Sequence, residues 1–147
     1  VPGWRLGAIT AGEAVMAEIA KVLDCVQISP VRAGQAAVTW GIEGIRDWRE
    51  ANRAQINARA ALFREAMAPL NDWRVLAAGA YFAYVAHPFP GVPAADVVRA
   101  LVQERGVLAL PGPYFGPGQE RHLRIAIANV AADRIGALSE RLRGFTL

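Results

Sequence analysis

The chain has 147 residues, of which 54% are hydrophobic, and a formal net charge of +3. This composition excludes a disordered chain and is sufficient for a buried core. The basic residues are spread along the chain without runs, which argues against a nucleic-acid partner. No apolar run reaches membrane-spanning length and no signal-peptide pattern is present, so we expect no membrane association and a cytoplasmic location.

Few side chains suit metal binding or covalent catalysis. Cys25 is the only cysteine, and the two histidines, His87 and His122, lie far apart in the sequence, so we predict no metal site. Lys21 is the only lysine. Any lysine-dependent chemistry within these residues would therefore need Lys21, which falls off the apolar stripe of a predicted helix and fits a solvated surface position.

The first part of the chain predicts three helices. Residues 10–13 (TAGE) fit a capping box, followed by apolar residues at helical spacing as far as Val26. Ser29-Pro30 predicts the start of a second helix, whose small residues at 34–42 suit close packing on another surface. The longest helical pattern covers about residues 45–68, and we place a domain junction near its start, giving domains of 1–44 and 45–147.

The remaining residues predict a small α+β unit. Strands are expected at 73–77, 79–86, 107–110 and around Arg124, with helices at 93–105, ended by Gly106, and after a capping Asn129. The order β, β, α, β, β, α predicts a mainly antiparallel sheet with helices on one face.

An arginine follows a turn-rich loop in residues 111–129. Three prolines and three glycines among residues 111–118 predict an irregular loop. Beyond it, Leu123, Ile125 and Ile127 alternate with Arg124 and two alanines, which places Arg124 on the opposite strand face with small neighbours. Its planar donor fork matches a carboxylate. The alternative is an arginine that faces solvent on an edge strand.

Several short motifs occur along the chain in a consistent order. They are VPGWRLG at residues 1–7, Gly79-Ala80-Tyr81-Phe82, Pro111-Gly112, Phe115-Gly116, Gly118, and Leu123-Arg124-Ile125. Together they resemble the class I/II aminotransferases, which are pyridoxal-phosphate enzymes of fold type I. The first motif is similar to the end of that family's S-K-x-F-x-x-P-G-x-R-x-G pattern, the second to its G-G-x-F strand, and the others to its C-terminal signature.

The resemblance implies roles for four residues. Arg5 matches the arginine that contacts the phosphate of the cofactor, pyridoxal 5'-phosphate. Arg124 matches the arginine that holds the α-carboxylate of the amino-acid substrate. Tyr81 and Phe115 are implied to line the substrate side of the pocket, with packing in the core or the loop as the alternative. His122 is interpreted as a surface histidine.

The resemblance also implies that the catalytic lysine is missing. In the family pattern the Schiff-base lysine would lie four residues before Val1, so no catalytic residue is assigned, and Lys21 does not match its place. We therefore expect the C-terminal part of an aminotransferase that moves an amino group between an amino acid and a 2-oxo acid. Residues 1–44 would be the tail of the large cofactor domain and 45–147 the small domain of a homodimeric parent. Alone, the chain would be inactive and would not hold the cofactor.

Other functions remain compatible with these residues. A β-lyase or a decarboxylase on the same scaffold would also bind an α-carboxylate. A non-catalytic ligand-sensing domain of a transcription regulator is the alternative from another class, and a free-standing structural domain is a third. The segment Val26-Gln27-Ile28 lacks the second arginine of dicarboxylate-specific relatives, which argues against aspartate as the substrate.

Overall fold

The fold is taken from a computed structural model that describes residue 3 and residues 5–147. Of the motif at residues 1–7, Val1, Pro2 and Trp4 therefore lie outside the described residues. The chain divides into two compact units, Val1–Glu50 and Ala51–Leu147. This division falls inside the longest helix. The assignment of residues 1–44 to a large cofactor domain stays a prediction.

The first unit consists of helices. Helix α1 spans Glu13–Val26, α2 spans Arg32–Gly44, and α3, which spans Arg46–Met67, begins here. All three predicted helices are present, but the predicted caps are wrong. α1 begins after Gly12 and α2 after Val31, without a side-chain cap on either. Thr10 and Ser29 each lie two residues before the observed N-cap, too early for a hydroxyl to meet the first free N–H groups.

The second unit contains a four-stranded antiparallel sheet. Its strands are β1 (Arg74–Gly79), β2 (Phe82–Ala86), β3 (Leu110–Pro111) and β4 (His122–Ala126). They lie in the order β1-β2-β4-β3. β4 pairs with β2 on one side and with β3 on the other. The alternative of an edge-strand position for Arg124 is therefore wrong, because β4 is an inner strand.

Helices cover one face of this sheet. α3, α4 (Ala94–Arg105) and α5 (Ala132–Leu142) contribute Phe63, Leu101 and Leu142 to the core. The strands meet them with alternate residues, and the side chains of Ala83, Val85, Leu123 and Ile125 are all buried there. The α+β prediction with helices on one face is confirmed.

Helix ends in this unit differ in how well they follow the local sequence. α4 ends at Gly106, which is left-handed with φ 61°, as predicted. α5 begins after Ala131, so Asn129 is not its cap, contrary to prediction. The loop at 111–118 is not wholly irregular, because Gly112–Phe115 form one short 3₁₀ helix. No helix in the described part of the chain is long and apolar enough to cross a membrane.

Candidate functional site

Arg124 lies on the sheet face that the helices leave uncovered. Its strand neighbours Leu123 and Ile125 are 0% and 6% exposed and point into the core, while Arg124 is only half-buried. Across the sheet, Tyr84 on β2 and Leu110 on β3 are its direct partners in register. The predicted alternation along β4 is confirmed, and pairing on both sides fixes the arginine's backbone.

Two phenylalanines hold the guanidinium of Arg124. Its Cζ atom lies 4.2 Å from the ring centroid of Phe82 and 4.2 Å from that of Phe115. At this distance each ring makes a cation–π contact with the guanidinium. No hydrogen bond or salt bridge of the Arg124 side chain occurs among the described residues. Its N–H groups are therefore available to a carboxylate, which can accept two parallel hydrogen bonds from a guanidinium.

The loop that carries Phe115 packs closely at Gly112. A Cβ atom on Gly112 would lie 2.8 Å from Cβ of Gln119 and 2.9 Å from the carbonyl oxygen of His122. Only glycine fits this approach of two loop segments. The Tyr84 hydroxyl donates a hydrogen bond of 2.8 Å to Oε1 of Gln119, which ties the loop to β2. Burial raises the pKa of the Tyr84 hydroxyl, so this donor stays protonated.

His122 stacks on Tyr84 beside the arginine. The two rings are 5.2 Å apart with an interplanar angle of 11°. His122 is half-buried, and its Nδ1 is buried without a hydrogen-bond partner among the described residues. The interpretation of His122 as a plain surface histidine is therefore wrong. The reason is its position two residues before Arg124 on an inner strand, directly beside β2.

A second histidine, His87, joins the end of β2 to the loop before β4. Its backbone N–H donates to the carbonyl oxygen of Arg121 at 3.0 Å, and the Arg121 guanidinium donates back to the carbonyl oxygen of His87 at 3.0 Å. The imidazole is fully buried, and its Nδ1 accepts the N–H of Phe89 at 3.3 Å. Nε2 therefore carries the proton and faces the carbonyl oxygen of Glu120 at 3.4 Å.

The charge state of His87 is set by this environment. Burial is the main cause that lowers the pKa of its imidazole, and the nearby Arg121 and His122 lower it further. The Glu120 carbonyl acts in the opposite direction. The neutral ring is thus the form that holds the loop.

Arg59 of α3 fixes the chain just after β4. Its Nη1 donates to the carbonyl oxygen of Ala128 at 2.8 Å and to that of Val130 at 2.7 Å. The N–H of Ile127 donates to the carbonyl oxygen of Tyr81 at 2.9 Å, which extends the pairing of β4 beyond Ala126. The strand that carries Arg124 is therefore anchored at its far end by a residue that sequence reasoning did not single out.

The other predicted site residues lie in different surroundings. Tyr81 occupies the turn between β1 and β2 and is 49% exposed, without a ring contact to Arg124 among the described residues. Its neighbour Phe82, in the same sequence motif, makes the contact instead.

Arg5 is exposed in the first unit and has a left-handed backbone with φ 56°. Lys21 is exposed on α1 and pairs with Glu18 at 2.6 Å.

The family of the chain follows from comparison with known proteins. The family model described as "Aminotransferase class I and II" matches residues 1–142. The chain belongs to this family. The resemblance stated from its motifs is thereby confirmed.

Curated members of the aminotransferase family are similar over nearly the whole chain. Aminotransferase tdiD of Emericella nidulans is 25% identical over 97% of this chain and 35% of its own length. LL-diaminopimelate aminotransferase of Syntrophobacter fumaroxidans is 24% identical over 96% of this chain and 36% of its own length. The chain thus spans about a third of the curated relatives that it matches.

Solved aminotransferase structures share the fold. The α-aminoadipate aminotransferase LysN of Thermus thermophilus, complexed with N-(5'-phosphopyridoxyl)-L-leucine, has a TM-score of 0.73 at 22% identity. The likeness covers 96% of this chain and 37% of LysN. The fold is therefore that of a fold type I aminotransferase over the corresponding third of the molecule.

Proposed function

We propose that this chain forms the carboxylate-binding part of a pyridoxal-phosphate-dependent aminotransferase. The parent protein would move an amino group between an amino acid and a 2-oxo acid. One observation carries the proposal: the Arg124 guanidinium contacts the rings of Phe82 and Phe115, while its N–H groups have no hydrogen-bond partner among the described residues. Two hydrogen bonds from these groups to an α-carboxylate fix the substrate's orientation, and thereby the direction of its α-amino group and Cα hydrogen.

The residues of the chain fit part of the cofactor's needs. Arg5 is an exposed guanidinium, and its planar donors suit the phosphate dianion of pyridoxal 5'-phosphate. When bound, the cofactor supplies an electron sink that stabilises negative charge on the substrate's α-carbon. In this proposal Arg5 holds the phosphate and Arg124 orients the substrate. Tyr81 and Phe115 keep their predicted places on the substrate side, and Phe115 acts through its contact with Arg124.

We also propose that the 147-residue chain does not transaminate by itself. Its only lysine, Lys21, lies on the exposed surface of α1 with 69% of its side chain accessible and an acidic partner. That setting lacks the desolvation that makes a lysine amine nucleophilic. Incubation with pyridoxal phosphate, an amino acid and a 2-oxo acid is expected to yield no new amino acid. Turnover by the wild-type chain would contradict the proposal. If the Lys21→Met variant keeps that turnover, Lys21 has no part in it.

The decisive experiment for the parent is Arg124→Lys in the complete protein. Lysine keeps the charge but cannot form the bidentate pair, so kcat/KM for amino-acid substrates is expected to fall about 100-fold. Arg99→Lys is the matched control, because Arg99 is exposed on α4 and, among the described residues, pairs only with Asp96, at 2.8 Å. An unchanged kcat/KM in Arg124→Lys would refute the role of Arg124.

The same observation supports other activities on an α-carboxylate. A β-lyase, a decarboxylase and a non-catalytic ligand-sensing domain would all use Arg124 in this way. The products of the parent protein separate them: transamination gives a new amino acid, lyase action releases ammonia, decarboxylation releases carbon dioxide, and a sensor binds without turnover. A homodimeric parent, a cytoplasmic location and the division into domains 1–44 and 45–147 belong to the same proposal.

A further inference from the structure

A cavity of about 420 Å³ lies beside Arg124 within the second unit. We call it the β4–α5 cavity, because it extends from Arg124 and Phe82 along residues 106–110 and along α5. Most of the side chains that line it are apolar. They include Leu108, Leu110, Ile127, Val130 and Leu138.

The charges around this cavity have one sign. Among the described residues that line it, three are arginines, Arg124, Arg134 and Arg141, and none is acidic. The Arg141 guanidinium is already engaged, since it donates to the carbonyl oxygens of Arg105 at 3.2 Å and Gly106 at 2.9 Å. Arg134 is exposed, so it adds little to a bound charge in water. The cavity therefore favours a ligand with one carboxylate, at Arg124, and an apolar body.

We propose that the β4–α5 cavity selects 2-oxo acids and amino acids with a branched apolar side chain, a specificity that rests on the proposed carboxylate role of Arg124. The carboxylate binds the N–H groups of Arg124 and the side chain enters the cavity. Leu108, Leu110 and Val130, which are exposed in the free chain, then lose contact with water. Removal of this apolar surface from water supplies the preference over ligands with a short side chain.

The alternative ligand class is a dicarboxylate that would use Arg134 for its second charge. Two features weigh against it. Arg134 is exposed, where an ion pair contributes little. The mostly apolar lining would also strip water from the second carboxylate and offer it few hydrogen bonds. A dicarboxylate is therefore expected to bind more weakly than a branched apolar acid of the same length.

The test is a titration of the methyl-labelled and 15N-labelled chain by NMR with three acids. They are pyruvate, 4-methyl-2-oxopentanoate and 2-oxoglutarate. The branched acid is expected to bind at least about tenfold more tightly than pyruvate, because each buried methylene is worth about a fourfold gain. It should also shift the methyl signals of Leu108, Leu110 and Val130, which pyruvate leaves unchanged.

Variants separate this proposal from the function on which it rests. Leu108 is 76% exposed at the cavity, so Leu108→Glu keeps the fold while adding a negative charge and removing apolar surface. It should abolish the preference for the branched acid. Val130→Asn is a second variant with the same expected effect, and Leu62→Glu on the exposed surface of α3 is the control that should leave the preference intact.

Each outcome then has one meaning. Arg124→Gln should abolish binding of all three acids. If the acids bind equally well to Arg124→Gln, or if none binds the wild type, the carboxylate role of Arg124 fails and this inference fails with it. If the acids need Arg124 but show no preference, or if 2-oxoglutarate binds most tightly, the carboxylate role stands and the inference about the cavity is wrong.

Discussion

The contact between Arg124 and two aromatic rings orders a charged side chain that would otherwise sample many rotamers. An arginine side chain loses rotamer entropy when a ligand immobilises it. A side chain that Phe82 and Phe115 already hold loses less on binding. The rings also shield part of the guanidinium from water. In the proposed function, the N–H groups that stay unpaired donate to a planar pair of carboxylate oxygens.

Phe115→Leu tests this ordering. Loss of one cation–π contact at a half-exposed site costs about 0.5–1 kcal/mol, so carboxylate affinity should fall about two- to fivefold. Calorimetric titration with a 2-oxo acid measures it. Tyr114→Leu is the matched control, since Tyr114 is adjacent, 74% exposed and makes no ring contact with Arg124 among the described residues. Equal affinities in the two variants would show that Phe115 does not support the arginine.

A substitution at Gly112 tests the close packing of the loop that carries Phe115. Gly112→Ala forces a Cβ atom against Gln119 and the backbone of His122, so we expect a loss of about 1–3 kcal/mol in the free energy of unfolding. Gly136→Ala is the control, because Gly136 lies within α5 and a Cβ there meets no atom within 4 Å. Alanine should stabilise that helix slightly. Urea unfolding in which both variants lose stability equally would contradict the packing argument.

The lowered pKa of His87 predicts how the stability of the fold depends on pH. Its pKa is lowered in the folded protein, so the unfolded chain takes up this proton first. The free energy of unfolding should therefore decrease as the pH falls below about 6.5, the ordinary pKa of histidine, and continue to decrease down to the lowered folded pKa. The groups that face the ring are Glu120 through its carbonyl, Arg121 and His122.

His87→Asn checks this prediction. The Asn side-chain oxygen can still accept the N–H of Phe89, but it does not titrate. Urea unfolding measured above and below the histidine range should give a smaller pH dependence in His87→Asn than in wild type. His122→Gln, which keeps His87, should retain the loss of stability at low pH. If His87→Asn retains the full pH dependence, the assignment to His87 is wrong.

At the scale of the elements, Arg59 connects α3 to the segment that follows β4. Two charged hydrogen bonds depend on this one guanidinium. Arg59→Met keeps the aliphatic stem and removes both bonds, so the free energy of unfolding should fall by about 1.5–3 kcal/mol. Arg53→Met on the same helix is the control, since Arg53 is exposed and bonds to no described residue. Equal melting temperatures for the two variants would show that the hydrogen bonds of Arg59 do not stabilise the fold.

Periodicity predicted the elements better than their ends. The alternation of Leu123, Ile125 and Ile127 predicts β4 and its buried face correctly. In a strand with one buried face, every second side chain points into the core and is apolar. The prediction of helix caps at Thr10, Ser29 and Asn129 was wrong. A cap depends on where the backbone turns, and several polar residues in a row can each satisfy the same sequence rule.

Strand order also lies beyond local patterns. β3 has only two residues, yet its pairing makes β4 an inner strand and places Leu110 opposite Arg124. The same limit explains Phe82. It was part of the predicted motif, but its position on the face of Arg124 follows from the register of β2 with β4, which pairs Tyr84 with Arg124. Resemblance supplied the proposed role of Arg124 and pointed to Phe115, whereas the register of β2 with β4 supplied Phe82.

For the whole molecule, the apolar surface of the first unit is the most conspicuous feature. α1 has no buried residue, and Val15, Val22, Leu23 and Val26 on its surface are all exposed. Trp40 and Ile42 of α2 are exposed as well. Apolar surface of this extent is typical of a region that packs against other protein.

The chain alone is therefore expected to self-associate. Its apparent mass in sedimentation velocity should increase with protein concentration. Val22→Arg combined with Val26→Arg should reduce this association, because charges on the surface of α1 oppose contact between copies. Leu62→Arg on α3 is the control for a charge placed elsewhere. A wild-type chain that stays a compact monomer at all concentrations would contradict the prediction.

The arginines give the fold an unusual kind of internal support. Among the described residues, six arginines donate hydrogen bonds to main-chain carbonyl oxygens, whereas Arg99 pairs with a carboxylate. The donors to carbonyls are Arg49, Arg59, Arg64, Arg105, Arg121 and Arg141. A carbonyl carries no net charge and takes up no proton in ordinary buffers, so salt screens these bonds little. The tertiary structure should accordingly be insensitive to high ionic strength, while carboxylate binding at Arg124 weakens there.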